Sequence, residues 1–191
     1  MSATSAPFGL RPAFHPSGLD RAQALAGGIA STYAANILKG QAIKYVSAAG
    51  VIEVVTSTEA FSGAFAGVEW TDVTGRRRVS NFWPTGTAYQ TGSCVAYFYN
   101  DPNIVYEIQT DATVAQTTIG NEANLSNLAA GSTSTGLSQG TLSASMVGQG
   151  VQGQMRIVDL APYADNAWGD PFVIVRATVA ETQFVAPSVA I

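Results

Sequence analysis

The chain has 191 residues, a length that suggests one domain, or one domain with appendages, and is enough to enclose a real core. Apolar residues make up 47% and charged residues only 12%, which excludes disorder throughout and favours burial against neighbours in an oligomer or lattice. The net charge of −4 argues against general nucleic-acid binding, because such a chain on average repels phosphate instead of releasing its counterions.

Residues 1–30 read as an extended arm. Pro7, Pro12 and Pro16 fix φ, remove amide donors and bias the preceding residues toward extended conformations. Phe8, Leu10 and Phe14 then need somewhere to pack, and the arm is expected to be separable from the rest. "DRAQALAGG" reads as one weak helical turn before Gly27 and Gly28. From about residue 31 the pattern turns to β. "QAIKYVS" and "GVIEVVTS" read as a hairpin, followed by "GAFAGVEW", a "TDVTG" turn and "RRRVSNFW". "SCVAYFY" reads as a strand buried on both faces. "NDPN" at 100–103 marks a sharp turn, and "IVYEIQ" alternates, with Ile104, Tyr106 and Ile108 opposite Val105, Glu107 and Gln109.

Residues 120–150 are rich in Gly, Ser, Thr and Asn and read as an excursion. Within it, "NEANLSNLAAG" reads as a short helix capped by Asn121, with Leu125, Leu128 and Ala129 on one face and Gly131 as its stop. "QMRIVDL" and "PFVIVRATVAETQF" close the chain as strands around a turn cluster, "PYADNAWGD". The fold class implied is all-β: an antiparallel β-sandwich or small β-barrel with an extended N-terminal arm and little helix. Residues 31–191 read as a single β-rich domain.

The residue types needed for catalysis are scarce. His15, the one histidine, sits between Phe14 and Pro16 in the arm, a poor base for Ser-His-Asp chemistry. The one cysteine, Cys94, allows no intrachain disulfide and no cysteine-based metal site, and reads as a buried hydrophobe. No catalytic residue, cofactor or metal is expected. The carboxylate pairs Glu69/Asp72 and Asp101/Glu107 read as solvated or turn-capping acids, and "DNAWGD" as a turn instead of a calcium loop. Arg76, Arg77 and Arg78 form the one charge run. They suit either solvation or docking on an acidic neighbour, because guanidinium forks onto carboxylates. There is no basic apolar leader and no run of roughly 18 apolar residues, so neither export nor a membrane span is expected.

The opening "APFGLRPAFHPSG" resembles the start of small structural proteins of tailed bacteriophages. The same is true, in order, of "GQAIKYVSAAGVIEVV", "FAGVEWTDVTGRRRVSNFWPTGT", "YNDPNIVYEIQTD", "IGNEANL" and "MRIVDLAPYADNAWG". The resemblance is to capsid decoration, or cement, proteins and spans roughly residues 6–180. It implies a non-enzymatic β-rich molecule, made in the bacterial host cytoplasm. Such a molecule sits on the outer capsid surface of the virion and bridges subunits of the major capsid protein. It would form a homo-oligomer, a trimer ahead of a dimer, with no direct nucleic-acid or membrane contact. The expected capsid or inter-protomer contacts are Phe8, Leu10, Arg11 and Phe14 in the arm and Arg76, Arg77 and Arg78. The alternatives are another virion component (connector, tail-tube or minor capsid protein) or a carbohydrate-binding module using Trp70, Trp83 or Trp168.

Overall fold

The structure, a computed structural model, describes residues 2–18, 22–46 and 49–185. Two six-stranded antiparallel sheets carry the fold. The first runs β1 (Arg11–Phe14), β8 (Val105–Gln109), β14 (Ile174–Val179), β13 (Met155–Leu160), β9 (Glu122–Ser126), β12 (Thr141–Met146). The second runs β2 (Gln23–Ala26), β7 (Val95–Tyr99), β5 (Gly63–Thr71), β3 (Ala42–Val46), β4 (Val51–Val54), with β6 (Arg77–Ser80) branching from β5. A short ribbon, β10 (Gly131–Ser132) and β11 (Leu137–Ser138), completes the strands, and the one helical piece among the described residues is a 3-10 turn at Gln116–Thr118. The all-β, antiparallel expectation therefore holds.

Each sheet curls back on itself, β12 returning to the end of β8 and β4 to the end of β2. In the first, Thr110 bridges Leu142, and the Asp111 amide donates to the Leu142 carbonyl at 2.9 Å. In the second, the Ile52 amide donates to the Gly28 carbonyl at 2.7 Å, bringing β4 back to the end of β2. Two apolar cores result. One gathers Leu10, Tyr106, Ile108, Leu142, Ile157 and Val175. The other gathers Ile37, Ile52, Phe65, Trp83 and Phe98.

The arm is woven into this body, which corrects the expectation of a separable arm. β1 pairs with β8, and β2 pairs with β7. Leu10 is 2% exposed and lies inside the first core, so it offers no surface to a partner. Gly9, at φ +73°, lets the backbone pass against Gly40, where any Cβ would stand 2.5 Å from the Gly40 carbonyl oxygen. The Leu10 amide donates to that same oxygen at 2.7 Å.

Two expected helices are strands. Gln23–Ala26 takes the free edge of β7, and that ladder outweighs a weak helical preference; Leu19, Asp20 and Arg21 lie outside the described residues. Glu122–Ser126 has β13 on one side and β12 on the other. Two ladders take up much of its backbone, the Gln154 side chain accepts the Leu125 amide, and Asn127 ends it in a left-handed conformation at φ 53°. The 120–150 excursion is thus mostly sheet. β7 alternates, with Ala96 and Phe98 buried and Val95, Tyr97 and Tyr99 half-buried, instead of being buried on both faces. β8 is buried throughout, because the core covers one face and Arg11, Tyr163 and the Thr4–Ala6 backbone close over Glu107 and Gln109 on the other.

Buried amide side chains join the pieces. Fully buried Gln154 donates through Nε2 to the Ser57 and Glu59 carbonyls and accepts the Leu125 amide on Oε1. Gln154→Leu would keep the volume and leave those three backbone groups unsatisfied. We expect a loss of about 3 kcal/mol in urea unfolding; an unchanged midpoint would show that the amide is dispensable.

Candidate functional site

The arm's side chains converge on Glu107. This carboxylate is 6% exposed, although it alternates onto the face that a lone β8 would turn to water. Its Oε2 accepts hydrogen bonds from Arg11 Nη2 at 2.7 Å and Tyr163 Oη at 2.6 Å, and Arg176 Nε lies 3.7 Å from Oε1. Arg11 also donates to the Tyr163 hydroxyl. The arm's aromatics rest on the same cations: the Arg11 guanidinium lies 4.4 Å from the Phe8 ring centroid, and that of Arg176 lies 5.3 Å from that of Phe14. Burial pushes Glu107 toward the neutral form, but Tyr163, Arg11 and Arg176 outweigh it and hold its pKa below the ordinary value. Glu107 is therefore not a solvated acid. Tyr163 and Arg176 complete a cluster that spacing along the chain gave no sign of.

His15 anchors the arm further along. Its Nε2 lies 3.0 Å from Asp101 Oδ2, and its Nδ1 accepts the Ser17 amide at 3.0 Å, with Ser17 Oγ at 2.6 Å. Serine, histidine and aspartate thus stand side by side, but Nε2 makes no well-directed hydrogen bond to Asp101. The two amides that would stabilise an oxyanion are engaged elsewhere, however: that of Ser17 on Nδ1 and that of Gly18 on the His15 carbonyl at 2.8 Å. The contacts made here hold a turn.

The three arginines fall on the β5–β6 hairpin, a branch of the second sheet. Asp72 locks its tip. Oδ1 accepts the Thr74 amide at 2.9 Å, the Thr74 hydroxyl at 2.6 Å and the Arg76 amide at 3.0 Å, while Oδ2 accepts Arg78 Nε at 2.9 Å. The Thr74 hydroxyl and the Arg76 amide are the largest causes holding Asp72 well below the usual carboxylate range. Arg77 pairs with Glu69. Among the described residues the Arg76 guanidinium makes no ion pair. Beside it Val73 and Val79 are 67% and 73% exposed, large apolar groups that no core explains. The sequence marked the arginines and offered Asp72 as a turn-capping acid, which it is, and missed the valines.

Elsewhere the polar candidates serve the fold. Cys94 is buried, and desolvation pushes its thiol up to about 11, away from the thiolate form. Asn166 donates to the Ala161 and Ile174 carbonyls and accepts the Ile174 amide. Asp170 accepts from the Ser2 hydroxyl and the Ala167 amide. Trp70 and Trp83 are buried and pack edge to face, out of reach of a sugar. Among the described residues no three His, Cys, Asp or Glu side chains group as a metal would require, and no helix is long and apolar enough to cross a membrane. A cleft of about 400 Å3 lies between the arm and the second sheet, lined by Phe8, Arg11, Lys39, Phe65, Tyr99 and Leu137. No family model, curated protein or solved structure matches the chain.

Two outcomes follow from this geometry. The pKa of Glu107 is depressed in the folded state, so its contribution is complete above the unfolded carboxyl's pKa and is lost as pH falls through the lower folded value. Between about pH 6 and about pH 3, urea midpoints of the wild type should fall more steeply than those of Glu107→Gln; parallel slopes would contradict the cluster's role. Asp72→Ala should free the hairpin tip, and tryptic cleavage at Arg76–Arg78 should accelerate several-fold with the rest of the body intact. Equal cleavage rates would show that the tip is held by other means.

Proposed function

We propose that the chain is a non-enzymatic virion structural protein of the decoration or cement kind. It binds the outer capsid surface, bridges major capsid subunits and stabilises the DNA-filled head. The observation that carries this reading is the Asp72-locked hairpin, which presents Val73, Val79 and the unpaired Arg76 on a charge-poor β body. A preorganised tip loses little entropy on docking, so its binding energy goes into contact. Guanidinium beside apolar side chains suits a protein surface bearing carboxylates. Repetition over a symmetric shell multiplies modest contacts into firm attachment. The exposed parts of Phe8, Arg11 and Phe14 offer a second contact region, with Leu10 removed from the original set.

Particles assembled without the protein should release DNA at a lower temperature than complete ones, and adding the purified chain should restore the difference. Arg76→Glu/Arg78→Glu should weaken that restoration at least tenfold in the protein concentration needed. Identical release temperatures with and without the protein would overturn the reading, and hexameric rings in negative stain would point to a tail tube.

A further inference from the structure

Charge is divided between the two sheets. Residues 22–100, which form the second sheet, carry five basic and four acidic side chains; residues 101–185, which supply most of the first, carry two basic and eight acidic. The extremes of this division are themselves unpaired. Arg76 tops the hairpin of the second sheet. On the first, Asp159 sits on the outward face of β13, where a register shift between Ile157 and Asp159 leaves both Val158 and Asp159 exposed.

A row of opposite charges crosses that face in register: Arg11 opposite Glu107, Glu107 opposite Arg176, Arg176 opposite Asp159. Arg176, however, leans onto Glu107 and the Phe14 ring, and its Nε lies 3.7 Å from the Glu107 carboxylate. Asp159 is left with the amide of its neighbour Leu160 and, among the described residues, no cationic partner. Exposed apolar groups flank it: Val158 on the same strand, and Ile119, whose neighbour Gly120 donates to the Ile157 carbonyl at 2.9 Å.

We propose that the hairpin tip of one copy docks on the outward face of β13 in the next. Arg76 then pairs with Asp159, and Val73 and Val79 pack on Val158 and Ile119. The tip is basic and apolar, the face is acidic and apolar, and each lacks inside its own chain what the other supplies. The two patches lie on different sheets, so we take the contact as heterologous, passing from copy to copy and closing into a ring where the rotation between copies allows it. Like-with-like pairing of two hairpins would instead set arginines against arginines. The proposal rests on reading the hairpin as a contact element of the shell and assigns that contact to the neighbouring copy, leaving the capsid surface itself to Phe8, Arg11 and Phe14.

The test is sedimentation velocity of the purified chain over a concentration series, with circular dichroism to confirm folding. The wild type should sediment as a closed oligomer. R76E and D159R should each shift it to monomer. Mixed together, R76E and D159R juxtapose two wild-type patches or two altered ones, so they too should re-associate. The double variant R76E/D159R restores opposite charges within one chain and should recover the oligomer on its own. A monomeric wild type, or single variants of wild-type size, would overturn the proposal, as would a double variant no better than the singles. Binding of the same proteins to particles is scored separately, so a monomeric chain that still protects particles would refute this contact and leave the decoration role standing.

Discussion

Glu107 is a carboxylate that the fold has buried, and everything about the N-terminal segment follows from that. A buried charge is tolerated only where partners replace water, and here Arg11, Tyr163 and Arg176 do so at close range. Arg11 belongs to the arm, so lifting the arm would give up this ion pair and return Glu107 to water. Two residues earlier the chain passes through the Gly9–Gly40 contact, and the next side chain, Leu10, enters the core. Three further along, Phe14 settles on Arg176. Prolines that keep this segment extended also fit it to a sheet edge, where one missing amide donor matters little. A segment that reads as a sticky arm is therefore the covering strand of its own sheet.

Much of the β architecture could be read directly. "QAIKYVS"/"GVIEVVTS" and "GAFAGVEW"/"RRRVSNFW" are β-rich runs with turn residues between them, and both form hairpins. What escaped was decided by tertiary neighbours. Glu122–Ser126 has helical composition and becomes a strand because two other strands flank it. Glu107 occupies the polar phase of an alternating strand and looks solvated until the arm covers it. Tyr163 and Arg176 lie 56 and 69 positions beyond Glu107, and only the sheet order β1-β8-β14-β13 brings them together.

The candidate contact surface shows the same limits. Three consecutive arginines are visible in any reading, but their meaning depends on what pairs with them. Glu69 neutralises Arg77, Asp72 neutralises Arg78, and Arg76 alone is left presented beside Val73 and Val79. Asp72 supplies the rigidity: it fastens two amides, a hydroxyl and a guanidinium, and so turns a loop into a shaped knob. Order at the tip and disengaged charge are the two features on which the proposed docking role rests.

The most direct measurement is cryo-microscopy of the intact particle at a resolution that traces strands. The account predicts density for this β body on the outside of the head, across seams between capsid subunits, with the arm folded onto its own β8 and the Asp72–Arg78 tip in contact with protein. Density for the chain inside the head or along the tail would contradict it, as would an arm that leaves its own Glu107 or a tip that faces open solvent.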